Sequence, residues 1–511
     1  MSTPRGLILW LFVFIPLYGF WSYGLFDLDE GLYAAATKEM LLYHKWVIPT
    51  IGGEPFLEKP ILLYWSVLPF LKVGMFDMLA LRLPSVLATV LLIALAVRFV
   101  HTRFGESAAV RTLCICAASP LLMGVGRMMM PDALFALAFS GACFSFWKSL
   151  EGEKLYRVLS SVLLGFAVLA KGPVAVVLFS LIFLIIYFTE PEVRFEYRGR
   201  WGLFIFAFIC VLSTWYVPIG IQQGKEFLGE FIWKQNILRF LGGDIAHRAP
   251  LWFYIPVFFV ALAPWSFGIF SVWRKTRSKP TERFFWIWGL STLIFFSLSG
   301  SKLPHYILPA IIPFAALFGI AELKKRFSWA AVLYGAIVAF VFITQAPKSF
   351  PVLNDIFVRI GIGVILATLF SVVLYFLMRR SFVQNFAIGW SITVLLLVWG
   401  MPKYWEQTHG DVYRIGQIIR SEESPFIEYR MDGMGEPLKT AHPSLYWYTS
   451  RTGEKVQWLE ELVKVASPGK LLLTRKNRLG RGGEETLRQY GLKLNPLALY
   501  GDFELYRVIE W

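Results

Sequence analysis

Apolar stretches long enough to cross a bilayer as helices, about 17–23 residues each, recur up to residue 401, and short polar clusters separate them. Thirteen spans are expected, at 7–25, 79–100, 108–125, 133–149, 157–171, 173–189, 202–220, 251–273, 284–299, 305–321, 329–345, 356–378 and 383–401. Only Lys171-Gly172-Pro173 divides the fifth from the sixth. The first stretch has the flanks of a signal peptide without a small-residue cleavage site, and it reads as a retained signal anchor. Residues 402–511 have ordinary soluble composition. Alternation in 471–474 and 503–509 predicts strands there, and 458–465 predicts a helix. The expected architecture is an all-α polytopic membrane protein, residues 1–401 including the loop 26–78, followed by a small α/β domain, residues 402–511.

Charge then orients the spans. Lys and Arg cluster at 98/103, 148–157, 194–200, 274–283, 324–326 and 379–380. With thirteen spans all of these fall on one face, which the positive-inside rule makes cytoplasmic, together with the N-terminus. The opposite, non-cytoplasmic face then receives the loops 26–78, 126–132, 222–250, 300–304 and 346–355, the turn at Lys171, and the tail.

Composition agrees. Of the 511 residues 56% are hydrophobic and 17% charged, too apolar for a soluble chain of this length. The net charge of +15 is carried by the short loop clusters. No basic domain or base-stacking module accompanies it, which argues against nucleic-acid binding. The four cysteines, at 114, 116, 143 and 210, all sit in apolar stretches and read as buried hydrophobes.

Ionisable groups beside a bilayer are costly, so those on the non-cytoplasmic face are the candidates for chemistry. The first loop carries Asp27, Asp29, Glu30, Glu54, Glu58 and Lys59; the second carries Arg127 and Asp132. Lys171, Arg239, Asp244, His247, Arg248, Lys302, His305 and Tyr306 occupy the remaining connections. Each has a bland alternative: a helix N-cap for Asp29 or Asp132, an interfacial lysine for Lys171, a surface pair for Glu58 and Lys59. Together they supply a general base and cations for a departing phosphate, which suits group transfer from a membrane-bound phosphate donor.

The runs D-E-G-L-Y (29–33), W-V-I-P (46–49), F-L-E-K-P-I-L-L-Y-W (56–65), M-P-D-A (130–133), A-K-G-P (170–173), H-R-A-P-L-W-F-Y (247–254) and S-K-L-P-H-Y-I-L-P (301–309) resemble the bacterial aminoarabinose transferase (ArnT) family. That family is similar to the protein O-mannosyltransferases among the GT-C glycosyltransferases. The resemblance implies thirteen transmembrane helices with a small periplasmic domain in a bacterial inner membrane. It implies an inverting glycosyltransferase that moves a sugar from undecaprenyl phosphate to a periplasmic acceptor, lipid A or lipopolysaccharide first among them. It assigns Asp29 and Asp132 as catalytic acids, and Lys59, Arg248 and Lys171 to the donor phosphate. Glu30, Tyr33, Glu58, Lys302 and Tyr306 line the site. Glu58 and His247 match a pair able to hold a divalent cation; no cofactor is required. The partners implied are a polyprenyl-phosphate-linked sugar, a lipid or glycan acceptor, and membrane lipid. The family usually has Arg where this chain has Leu32, which bears on the acceptor more than on the reaction. Two alternatives stay open: transfer to a protein hydroxyl or another envelope glycan, and, in a different class, a transporter or flippase. A transporter keeps charges at the bilayer midplane in pseudo-symmetric halves, and neither feature is visible here.

Overall fold

The expected spans form helices whose ends are set by familiar local chemistry. In the computed structural model residues 4–190, 201–242, 248–322, 328–345, 354–378, 381–431 and 442–511 are described. His247 and the basic clusters at 194–200, 324–326 and 379–380 lie outside them. Asp77–Phe104 stops at Gly105, whose φ of 83° a side chain would resist. Pro131 and Pro280 open the helices Pro131–Ser149 and Pro280–Leu298 at the first position, where a missing N–H costs nothing. The helix Lys154–Lys171 ends at Gly172, φ 95°, and Pro173 follows. The A-K-G-P motif is thus a helix stop that fixes Lys171 in a last turn, where a cation suits the helix dipole.

Among the described residues five helices are long and apolar enough to cross a membrane, or up to seven if two bent pairs each count as one span; four shorter apolar helices accompany them. The expected spans at 108–125 and 251–273 are the bent pairs. The first turns by 66° between Glu106–Ala117 and Pro120–Gly126. Ser119 caps the second half, accepting from the amide of Leu122. The other turns by 108° between Leu251–Ala261 and Trp265–Thr276, around Pro264, which cannot donate a helical hydrogen bond. The first span is shorter than expected, Pro4–Leu17. The last apolar helix runs without a break from Phe382 to Glu422, past the end at 401 that hydropathy suggests.

By their internal contacts the residues form two units: Met1–Phe20 with Leu57–Met401, and Trp21–Phe56 with Pro402–Trp511. In the first, helical unit, small residues let helices approach closely. A Cβ on Gly126 would collide with Thr89, one on Gly289 with Phe314, and one on Gly319 with Thr112. Aromatic rings fill the wider gaps: Trp147 stacks on Phe284 at 4.6 Å, and Phe144 meets the edge of Trp288 at 5.3 Å. Two fully buried arginines hold the end of the first helix. Arg127 donates to the carbonyls of Pro16 and Tyr18, and Arg82 to that of Phe20. Outward-facing Leu91, Phe206, Ile209, Leu366 and Phe376 leave an apolar exterior suited to lipid.

The second unit is built on a five-stranded mixed sheet of order β4-β3-β5-β7-β6. Its strands are β3 (Phe426–Tyr429), β4 (Glu454–Val456), β5 (Leu471–Arg475), β6 (Leu492–Tyr500) and β7 (Phe503–Glu510). β3 runs parallel to β4 and β5, while β7 runs antiparallel to β5 and β6. A small hairpin, β1 (Thr50–Ile51) with β2 (Glu54–Pro55), turns at Gly52-Gly53. Both glycines have positive φ, 65° and 84°, as a tight two-residue hairpin turn requires.

Candidate functional site

Within the helical unit, chain segments distant in sequence bring Asp132, Lys171, His305 and Tyr306 together. Asp132 is the second residue of its helix and is almost fully buried. The helix N-cap is Met130 and makes no side-chain cap bond, so the carboxylate does not serve as the cap. Its Oδ1 instead pairs with the Lys171 ammonium. His305 Nε2 stands 3.9 Å from Oδ2, and Lys59 is near enough to act on the carboxylate electrostatically. The Lys171 ammonium also lies over the Tyr306 ring, 4.5 Å from its centre, and 5.4 Å from that of Phe135. Lys171 is therefore the ion-pair partner of a buried carboxylate and not a snorkelling interfacial lysine.

A second group of cations surrounds the turn at 299–302. Gly300 donates its amide to Phe240 O at 2.7 Å and packs so tightly on Gly242 that a Cβ there would strike backbone. That contact seats Arg248 opposite Ser301 in an isolated bridge, and Arg239 Nε reaches the Ser301 hydroxyl at 3.5 Å. Arg248 is exposed, with one guanidinium bond to Gly242 O at 2.9 Å. Lys302 is buried, and its ammonium donates to Ser299 O, which fixes the turn. Tyr254 secures the same segment by donating to Leu303 O at 3.0 Å. Glu58 and Lys59 are half-buried just before the helix Leu62–Lys72, and Glu58 acts electrostatically on the buried Tyr64 hydroxyl.

In the sheet-containing unit the three acids of the D-L-D-E run have different surroundings. Glu30 is buried, and its Oε2 accepts from the amide of Phe26 at 3.0 Å. Asp27 accepts from the Ser444 amide at 2.9 Å, the Ser444 hydroxyl at 2.7 Å and His442 Nδ1 at 3.2 Å. Asp29 opens the helix Asp29–Leu42, is half-buried, and receives one long bond, 3.4 Å, from the Tyr33 hydroxyl one turn on. The N-cap is Leu28, with no side-chain cap bond, so Asp29 does not act as one. Asp29 is thus the acid of this run whose carboxylate is least committed to the fold. Gly31 belongs to the motif because a Cβ there would strike the Asp27 carboxylate and the backbone of Ser444.

Several working residues escape sequence reading. Glu39 binds the hairpin turn, accepting from the Thr50 hydroxyl at 2.6 Å, from the amides of Gly52 and Gly53, and from the Tyr446 hydroxyl. Burial works against its charge, but bonds from Thr50, Tyr446, Gly53 and Gly52 outweigh it and hold the carboxyl below the usual range. His409, His442 and Ser444 come from the tail, more than 380 residues from Asp27. Two of the six histidines of the chain meeting one aspartate was the available signal, but only folding makes it visible. Among the described residues no group of three His, Cys, Asp or Glu could hold a metal ion. His247, half of the expected pair, lies outside them, so the fit of a cation rests on Glu58 alone here.

Comparison with known proteins extends this picture. The family model for dolichyl-phosphate-mannose-protein mannosyltransferases matches residues 58–216. A Pseudomonas aeruginosa undecaprenyl phosphate-alpha-4-amino-4-deoxy-L-arabinose arabinosyl transferase is 31% identical over 328 residues, 62% of this chain and 58% of that protein. The enzyme of the same name from Edwardsiella ictaluri is 31% identical over 309 residues, 57% of this chain and 54% of its own. The chain thus spans under three-fifths of the length of these curated relatives. In fold it is similar to the crystal structure of ArnT from Cupriavidus metallidurans bound to undecaprenyl phosphate. The TM-score is 0.83 at 19% identity, covering 99% of this chain and 98% of that one. The apo form of that protein superposes with a TM-score of 0.76.

Proposed function

On the footing that the chain is ArnT-like in sequence and in fold, we propose that it is an inverting glycosyltransferase. It takes its sugar from a polyprenyl phosphate and delivers it to a cell-envelope acceptor, lipid A in the first place. The finer architecture goes with this reading: thirteen spans over residues 1–401 in a bacterial inner membrane, and residues 402–511 as a small domain on the periplasmic side, where transfer takes place.

The carrying observation is the state of Asp29. Its neighbours Asp27 and Glu30 spend their carboxylates on the fold, whereas Asp29 keeps its own with a single long bond. In the proposed reaction an acceptor oxygen attacks the anomeric carbon as the bond from that carbon to the phosphate oxygen breaks. The electron pair leaves on the lipid phosphate. Asp29 orients the acceptor and takes its proton where it has one. Lys59 and the exposed Arg248 neutralise the phosphate charge as it grows. Lys171 supports them through its pair with Asp132, and Glu30, Tyr33, Glu58, Lys302 and Tyr306 shape the surroundings. A divalent cation at Glu58 and His247 is compatible with the scheme and carries no step in it. A second acceptor, a protein hydroxyl, is favoured by the match to protein mannosyltransferases and by Leu32 in place of the family's arginine.

The test supplies the protein in nanodiscs with defined polyprenyl-phosphate sugars, lipid A and unfolded polypeptide, and identifies products by mass spectrometry. We expect glycosylated lipid A, with about a 10²–10⁴-fold loss in Asp29→Asn. Donor consumption with label only on polypeptide would transfer the assignment to the second acceptor. Sugar movement with no covalent product would overturn the enzyme reading.

A further inference from the structure

The stretch that precedes Asp29 is fastened to the tail through Leu25 and Asp27. The Leu25 amide donates to the Tyr448 hydroxyl at 2.8 Å, and Leu25 O accepts from Trp405 Nε1 at 2.9 Å. The Asp27 amide donates to His409 Nε2 at 3.2 Å, and the Asp27 carboxylate takes the three bonds from Ser444 and His442. Gly24 is obliged to be glycine, because a Cβ would enter the Trp405 ring. Such a density of bonds, on an acid only 4% exposed two residues before the candidate base, exceeds what closing a loop requires.

The hydrogen-bond directions fix the state of both rings. The Thr408 hydroxyl donates to Tyr404 O at 2.7 Å, so it accepts from His409 Nδ1, also at 2.7 Å. His409 Nε2 is therefore the bare nitrogen that receives the Asp27 amide. His442 receives Arg475 Nη2 on Nε2 at 3.1 Å and donates from Nδ1 to Asp27. A second proton on the His409 ring would meet the Asp27 backbone amide, a donor that cannot turn round. His409 faces Asp27, Glu30, His442, Thr408 and the edge of Phe26. His442 faces Asp27, His409, Arg475 and the ring of Phe503, with Asp502 3.8 Å behind Arg475. Burial, above the repulsion of His442, lowers the His409 pKa despite the two carboxylates.

We propose that Asp27 is a positioning residue for Asp29, held by His409, His442 and Ser444 in a latch that opens when His409 takes up a proton. The inference rests on the transferase reading for what the latch serves, but the latch itself is a property of the fold. Its sign follows from His409. The native ring resists protonation more than the unfolded one, so the latch is complete at neutral pH and weakens as pH falls below the ordinary histidine range, near about 6.5.

The experiment measures amide hydrogen exchange at residues 25–31 of the full chain in nanodiscs, corrected for the intrinsic pH dependence, from pH 5 to 8. Transfer kinetics accompany it. Wild type should be protected at pH 7.5 and lose protection on acidification. His409→Gln keeps an acceptor for the Asp27 amide and takes up no proton, so it should retain protection and flatten the acid limb. His409→Phe should lose protection at every pH. Asp27→Asn should lower kcat about 10–100-fold, with donor KM within about twofold, as a misplaced base requires. Asp29→Asn should lower transfer by the same factor, about 10²–10⁴-fold, and leave exchange untouched. If wild type, His409→Gln and His409→Phe share one exchange profile, the latch is wrong whatever the enzyme does. If the exchange results hold and no transfer is found, the latch stands and the transferase reading falls.

Discussion

Asp132 and Lys171 form a deeply placed ion pair, with side chains 3% and 11% exposed. Removing one member of such a pair leaves an uncompensated charge and costs about 3–5 kcal/mol, while removing both costs far less. Asp132→Ala and Lys171→Met should therefore each lower thermal stability sharply. The double variant should recover most of the loss without recovering transfer, if Asp132 also serves the chemistry. Recovery of both would restrict the pair to structure. Sequence could nominate these residues because a charge beside apolar spans is conspicuous. It could not pair them, since 39 residues separate Lys171 from Asp132 and helix packing decides which mouths meet. The same limit applies to Arg127. Its place in the second outer loop makes it a candidate for chemistry, yet it is fully buried and donates to two carbonyls at the end of the first helix.

The helix Asp29–Leu42 and the hairpin β1–β2 show how much of an element the residues dictate. The hairpin turn follows from Gly52-Gly53 alone, because two consecutive positive φ angles call for glycine. Gly31 gives no such local signal: it is an ordinary helical position, and its constraint arises only when Asp27 and Ser444 press against it. The two glycines should respond oppositely. Gly53→Ala meets nothing within 4 Å and should cost only about 1 kcal/mol of backbone strain. Gly31→Ala should displace the Asp27 carboxylate, raise exchange at residues 25–31 and impair transfer, although alanine is the better helix former by about 1 kcal/mol. Higher helicity without those losses would refute the packing argument. Among the strands, β5 and β7 were legible from alternation. β3, a short and wholly buried strand, and β4, only three residues long, carry too little period to read.

At the scale of the whole molecule, hydropathy found the apolar helices, but neither the bends at Ser119-Pro120 and Pro264 nor the continuation of the last helix to Glu422. It also gave no hint that Trp21–Phe56 and Pro402–Trp511 form one unit, because contacts such as that of Leu25 with Tyr448 cross 423 residues. The orientation proposed from the basic clusters is a separate claim, and it can be tested with the cysteines the chain already has. Cys114, Cys116 and Cys143 are buried, out of reach of a charged reagent. Cys210 is exposed, but on the apolar helix Trp201–Phe227, where it would face lipid. A charged thiol reagent should therefore leave the wild-type chain unlabelled in intact cells. Two exposed positions then report the two faces. Ser278→Cys lies in the 274–283 basic cluster, and Lys476→Cys lies just after β5. With thirteen spans, Lys476→Cys should label from the periplasm and Ser278→Cys only after the inner membrane is opened. Labelling of both from the same side would mean that an odd number of expected spans between them fails to cross. The bent pairs at 106–126 and 251–276 precede both positions and cannot contribute to such a result. The helices at 284–299, 305–321, 329–345, 356–378 and 383–401 lie between them, so the error would be among those five.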